Sequence, residues 1–255
     1  MGEKPKAWSR PTEMVLWSDE ALLVVNKPAG LLAIPGGQDG EPHLAEVLGP
    51  AYGPLWIVHR LDRDTSGVIA LARTSSAHRA LNTEFEEHRV RKVYHALVVG
   101  DPAWDERTVE LPLIPDGDRR HRTVVAPAGG ASRRSKPSST HFRVMERFGA
   151  YALVEARPTT GRTHQIRAHL AASELPIAAD ELYGGGTGLF LSALKPGYRP
   201  GARPERPLLG RVGLHASSIE FLHPQSQETR RFVAPHPKDL AAALRQLRRS
   251  GGRGG

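Results

Sequence analysis

From Met14 onward, short apolar runs rich in Val, Leu and Ile are punctuated by Gly and Pro. Such runs read as strands joined by turns. The predicted strands are Leu22–Asn26, Gly67–Ala72, Lys92–Val99, Thr140–Glu146, Tyr151–Ala156, His215–Phe221 and Arg230–Val233. Helical spacing stands out between them. Ser75 is placed to cap a helix to about His88, with Leu81 and Phe85 four residues apart on one face. A second helix is predicted from Thr163 to about Ser173. A last one opens at Pro237, a residue suited to a first helical turn, and carries Leu240, Leu244 and Leu247 along one side. Many strands with few helices, and no regular strand–helix alternation, predict an α+β domain around a largely antiparallel sheet.

No internal repeat interrupts this pattern. Residues 1–13 are polar and Pro-bearing and read as a loose arm, residues 14–249 as one catalytic-size domain, and Ser250–Gly255 as a disordered tail. Pro127–Pro137 is small, basic and loop-like. Tyr183–Pro207 is a Gly- and Pro-rich insert whose apolar centre, Leu189–Leu194, is expected to pack on the body.

Charge sharpens the picture. Lys and Arg number 35 against 27 Asp and Glu, a net +8 with pI near 10.1, which points to a polyanionic partner such as RNA. The absence of cysteine excludes disulfides, thiolate metal sites and thiol nucleophiles. No apolar run approaches the roughly 18 residues of a membrane-spanning helix, and the first residues carry charge without an apolar core. The expectation is a cytoplasmic, monomeric protein with no membrane partner.

The densest polar cluster is His59-Arg60-Leu61-Asp62-Arg63-Asp64-Thr65-Ser66-Gly67, at the mouth of the apolar strand Val68–Ala72. Charge there is costly unless it pairs or works. Thr160-Gly161-Arg162-Thr163-His164-Gln165-Ile166-Arg167-Ala168-His169-Leu170 opens a helix on which Arg167 shares a stripe with Leu170. A partly buried arginine calls for a carboxylate, and Asp62 or Asp64 can supply it. Lys92-Val93-Tyr94-His95-Ala96-Leu97-Val98-Val99-Gly100 sets a tyrosine within a strand, and Asn26-Lys27-Pro28-Ala29-Gly30 ends a strand in a turn that offers a lysine. Alone, the first is a core tyrosine and the second only a turn.

In this order the four segments resemble the signatures of the RluA-type family of RNA pseudouridine synthases, over about Asp19 to Asp239. The resemblance implies a mixed, mainly antiparallel sheet with a catalytic cleft across it. It makes Asp62 the catalytic aspartate, Tyr94 the active-site tyrosine and Arg167 the arginine paired with that aspartate. It gives Arg60 a part in displacing the target base, and puts His59, Leu61, Thr65, Arg162, His164 and Gln165 among the substrate-binding residues. It implies no cofactor and no metal, and structured ribosomal or transfer RNA as partner. Two positions depart from the family pattern. The chain reads Ser173-Glu174-Leu175-Pro176-Ile177 where family members tend to have a glycine before Pro-Ile, and Ala179-Asp180 replaces a Gly-Asp pair. With about 18 residues ahead of the first motif, no N-terminal RNA-binding domain is expected.

Isomerising uridine breaks a C–N glycosidic bond, turns the uracil and joins its C5 to the sugar, with no net redox change. A carboxylate beside the ribose serves either as nucleophile or as stabiliser of cationic character, and the sequence leaves direct attack and glycal formation both open. The histidines do not suggest zinc: no HExxH occurs, and His164 and His169 stand five apart. Arg89, Arg91 and Lys92, then Arg119, Arg120 and Arg122, then Arg133, Arg134 and Lys136 form basic clusters suited to phosphate. One rival reading is a glycoside hydrolase using Asp62 and Asp64 as strand neighbours roughly 7 Å apart. Another is a non-catalytic RNA-binding protein or RNA chaperone that keeps the fold.

Overall fold

The structure is a computed structural model that describes residues 8, 10–36, 40–127, 133–195, 197–199, 201 and 204–251. A 3-10 turn at Pro11–Met14 leads into β1 (Val15–Ser18) and β2 (Leu22–Lys27), followed by α1 (Leu44–Tyr52), β3 (Trp56–Ile57), β4 (Ser66–Ala72) and α2 (Ser75–Glu86). Next come β5 (Arg91–Val99), β6 (Glu106–Val109), the short β7 (Leu113–Ile114) and β8 (Val124–Val125), β9 (Thr140–Arg147) and β10 (Tyr151–Pro158). Then follow α3 (Gln165–Ala172), α4 (Leu191–Leu194), β11 (Leu214–Leu222), β12 (Thr229–Val233) and α5 (Lys238–Gly251). The expected α+β class, with a mixed and mostly antiparallel sheet, is the class observed.

The chain forms two compact units, Met1–Val93 with His215–Pro235, and Tyr94–Leu214 with His236–Gly255. In the first, β4 is buried along its whole length. One edge pairs antiparallel with β2 from Leu22↔Ala72 to Lys27↔Gly67. Its other edge is shared, with β11 running parallel at His215↔Ser66 and Ala216↔Gly67 and β3 taking Ile57↔Leu71 and Trp56↔Ala72. Gly67 makes the parallel contact possible. A Cβ there would lie 2.2 Å from the Ala216 carbonyl oxygen, and its φ of 122° is open only to glycine.

In the second unit β5, β10, β9 and β6 form an antiparallel sheet. Alternation along its strands gives it two buried faces. Ala96 and Val98 of β5 and Ala152, Val154 and Ala156 of β10 pack with Ile166 and Leu170 of α3. Leu97 and Leu153 point the other way, onto Leu240, Leu244 and Leu247 of α5. Each of these leucines stabilises the unit by about 2 kcal/mol on burial.

Several predicted boundaries shift. The cap of α2 is Thr74, not Ser75: its hydroxyl accepts from the Ala77 N–H at 3.2 Å. The second predicted helix begins at Gln165 rather than Thr163, because His164 sits in the left-handed region at φ 52°. Of the expected arm, residues 1–7 and 9 lie outside the described residues and 11–14 form the 3-10 turn. Of the expected tail, α5 continues through Gly251 and 252–255 lie outside them.

Candidate active site

In the first unit the polar cluster folds as a tight turn, in which the Thr65 N–H donates to the Asp62 carbonyl at 3.1 Å with Arg63 and Asp64 at the corner. Asp62 and Asp64 are therefore turn residues, and the strand-neighbour spacing behind the glycoside hydrolase reading does not exist. Leu61 and Thr65 flank Asp62 and are buried, at 4% and 2% exposure. These two root the turn in the core. Asp62 is half-buried and Arg60 exposed. Arg63 pairs with Glu41 at 2.7 Å.

Beneath the turn lies Lys27, fully buried. Its ammonium donates to the carbonyls of Pro28 at 3.0 Å, Leu31 at 2.8 Å and Arg63 at 3.0 Å. The Gly30 N–H also donates to the Arg63 carbonyl, at 2.9 Å. The lysine turn, only a turn by sequence, thus clamps the backbone one residue after Asp62. A buried ammonium is tolerated because carbonyl dipoles replace its water.

His59 holds the turn from the other end. The Ala70 N–H donates to its Nε2 at 3.0 Å, and its ring stacks on Phe85 with centroids 4.7 Å apart. Burial, with the positive charge of Lys92 adding to it, pushes the imidazole down to about 3. The ring is therefore neutral, and its accepting nitrogen is committed to the backbone of β4.

The second unit holds Tyr94 and the α3 residues. Tyr94 packs against the cluster of Ala96, Val98 and Ile166, on the sheet face that α3 covers. Arg167 is buried at 8% exposure. Its Nε and one Nη donate to the two carboxylate oxygens of Asp180 at 2.7 and 2.8 Å, and its guanidinium lies 4.9 Å from the Tyr183 ring centre. The demand of a buried arginine for a carboxylate is met here by Asp180, which is 1% exposed and to which sequence reasoning assigns no role. The signal was an aspartate inside the apolar run Leu175–Tyr183.

The remaining polar residues of this stretch build its frame. Gln165 accepts from the Thr160 hydroxyl at 2.7 Å and the Arg162 N–H at 3.0 Å, and donates to the Ser139 carbonyl and the Thr140 hydroxyl, each at 3.0 Å. Thr140 bonds His169 Nδ1 at 2.9 Å, and His169 Nε2 donates to the Leu111 carbonyl at 3.0 Å. Gln165 is 4% exposed, so it fixes the helix start from inside. Arg162 reaches the Pro137 carbonyl at 3.4 Å, and His164 contacts the Tyr183 hydroxyl at 3.2 Å.

The basic clusters divide. Arg89 pairs with Glu84 and Glu87, Arg91 pairs with Glu220, and burial lowers the Lys92 ammonium pKa. Arg134 donates to the carbonyls of Pro115 and Asp116, at 2.8 and 3.0 Å, and so joins the segment after residue 132 to the β7–β8 hairpin. Arg119 and Arg120 on that hairpin, and Arg133 and Lys136 further along the chain, are exposed. Among the described residues no group of three His, Asp or Glu is arranged to hold a metal, and no helix is long and apolar enough to cross a membrane.

With this geometry in hand, comparison with known proteins gives a consistent result. A family profile for RNA pseudouridylate synthase matches residues 21–172. The chain is 37% identical over 241 residues to ribosomal large subunit pseudouridine synthase C of Vibrio vulnificus, spanning 93% of this chain and 70% of that protein. It is also 37% identical over 230 residues to an uncharacterised RNA pseudouridine synthase of Chloroflexus aurantiacus, covering 87% of this chain but only 65% of the relative's length. Among solved structures, human RNA pseudouridylate synthase domain containing 4 superposes with a TM-score of 0.72 at 25% identity, across 93% of this chain and 94% of that one.

Proposed function

The chain belongs to the RNA pseudouridylate synthase family, an isomerase family, and from that premise we propose that it converts uridine to pseudouridine in RNA of the large ribosomal subunit, with Asp62 as the reacting carboxylate. The observation that carries the reading is the turn itself. A half-buried carboxylate is held on a backbone clamped by Lys27, Gly30 and His59, within the stretch that carries the family resemblance. A preorganised carboxylate acts on developing positive charge at the ribose without reorganising at the moment of reaction. The resemblance gives Arg167 and Tyr94 their parts in the same reaction, Tyr94 by stacking on the base or relaying a proton. Extracting the uridine from its stack costs a few kcal/mol, which exposed Arg60 helps offset. Arg119, Arg120, Arg133 and Lys136 supply phosphate contacts that hold the RNA. The ribosomal target rests on the relative from Vibrio vulnificus, named for the large subunit.

The test is Asp62→Asn, which keeps shape and removes charge. RNA binding, thermal unfolding and pseudouridine formation on ribosomal RNA are measured on one preparation. Folded, RNA-competent protein that forms no detectable pseudouridine is expected. A folded variant turning over near the wild-type rate would overturn the assignment. A wild-type protein that binds RNA and modifies none would favour a non-catalytic RNA-binding role.

A further inference from the structure

We infer that Asp180 and Tyr183 are positioning residues for Arg167, forming a cradle anchored on the β7–β8 hairpin. The inference rests on the reading above, in which Arg167 serves the reaction at Asp62.

The cradle removes the freedom of the guanidinium on two sides. Asp180 grips it through two parallel bonds, at 2.7 and 2.8 Å, and the fork geometry of arginine makes that grip directional. The carboxylate is itself fixed, since the Tyr183 N–H reaches one of its oxygens at 3.3 Å. The Tyr183 ring then lies across the guanidinium at 4.9 Å. That ring is kept from tipping, because its hydroxyl donates to the Thr123 carbonyl at 2.9 Å and receives the His164 Nδ1–H at 3.2 Å. Arg122, paired with Asp118 at 2.6 Å, donates to the Leu182 carbonyl at 3.2 Å and lies 5.8 Å from the same ring. The hairpin thus supports the Asp180–Tyr183 turn from behind.

Stability alone does not account for this arrangement. A buried ion pair is about neutral against well-packed apolar residues of similar volume. What the pair provides, and an apolar pair would not, is a guanidinium held in one direction. Chemistry depends on such placement, since a shift of about 1 Å can cost about a hundredfold in rate.

The experiment measures single-turnover pseudouridine formation and RNA affinity for wild type, Asp180→Asn and Tyr183→Phe, well below their unfolding temperatures. Asp180→Asn should lower the rate about a hundredfold while RNA Kd stays within about twofold. Tyr183→Phe keeps the ring and loses only the hydroxyl bonds, and should lower the rate about tenfold with Kd unchanged. Should Asp180→Asn fail to fold, Tyr183→Phe decides. Folded variants with wild-type rates, or rate losses matched by equal losses of RNA affinity, would overturn the inference. Variants that match an active wild type sink the cradle alone; a wild type inactive on every RNA tested sinks the functional reading and the cradle with it.

Discussion

The Asp62 turn and the Arg167 helix start are both polar insertions into apolar surroundings, yet they are held by opposite means. Around Asp62 the fixing bonds go to main chain: Lys27 to three carbonyls, Gly30 to the Arg63 carbonyl, and the Ala70 N–H to His59. Around Arg167 they run largely between side chains, through Asp180, Tyr183, Gln165, Thr140 and His169. A main-chain clamp fixes where a short side chain can be. A side-chain clamp fixes which way a long one points. The short aspartate and the long arginine each have the support their length calls for.

Removing the clamp in the first unit is the strongest way to break this comparison. Lys27→Met keeps the stem and withdraws a charged donor from three buried carbonyls, so it should destabilise the protein by about 3 kcal/mol. Chemical denaturation reads the loss. A change of under about 1 kcal/mol would mean that the turn stands without its lysine.

Acid titration probes the same turn from its other end. The folded-state pKa of His59 lies near 3, below the 6.5 of a free imidazole. The unfolded chain therefore takes up a proton first as pH falls. The stability contributed by neutral His59 is full above pH 6.5 and is lost as pH drops from there toward about 3. His59→Gln retains an acceptor for the Ala70 N–H but does not titrate. It should lower the proton uptake on unfolding by about one between pH 4 and 6, read from urea midpoints across that range. An unchanged slope would assign the acid sensitivity elsewhere.

The smallest expected effects sharpen the comparison in the second unit. Both segments that depart from the family pattern contain left-handed backbone: Glu174 at φ 60°, just after α3, and Ala179 at φ 60°, beside Asp180. A side chain there costs about 1 kcal/mol or more. Glu174→Gly should therefore stabilise by about 1 kcal/mol. Ala179→Gly should give less, because it also removes a buried methyl worth up to about 0.8 kcal/mol. Thermal unfolding of the two variants checks both the sign and the order.

What the sequence revealed follows from which interactions are local. The long strands β2, β4, β5, β9, β10 and β11 and the helix α5 carry enough apolar positions for their period to show, and each lies within a residue or two of its predicted bounds. β3, β7 and β8 have two residues each and no period to read. β6 is Glu-Arg-Thr-Val with only Val109 buried, and α1 contains Pro50, so both look like loop. The motif residues were legible as chemistry, but their supports were not. Lys27 looked like a turn residue because its partners are carbonyls, which leave no trace in sequence. Asp180 reads as the retained half of a family pair rather than as a partner for Arg167, because the bend that brings it to Arg167 is set by tertiary structure. Leu61 and Thr65 stand among polar neighbours in the motif, and their burial is set by tertiary structure.

The close approach of Gly67 to Ala216 also has a temporal meaning. The strand that carries the chain out of the Asp62 turn finds its parallel neighbour only when β11 has been made, after the whole stretch Tyr94–Leu214. A contact of such long sequence separation forms late, since the loop must close before the pairing can compensate. A nascent chain halted between Tyr183 and His215 holds the residues of the arginine cradle, yet it lacks one flank of the aspartate's strand. Synthesis order alone thus withholds the finished aspartate site until β11 has left the ribosome.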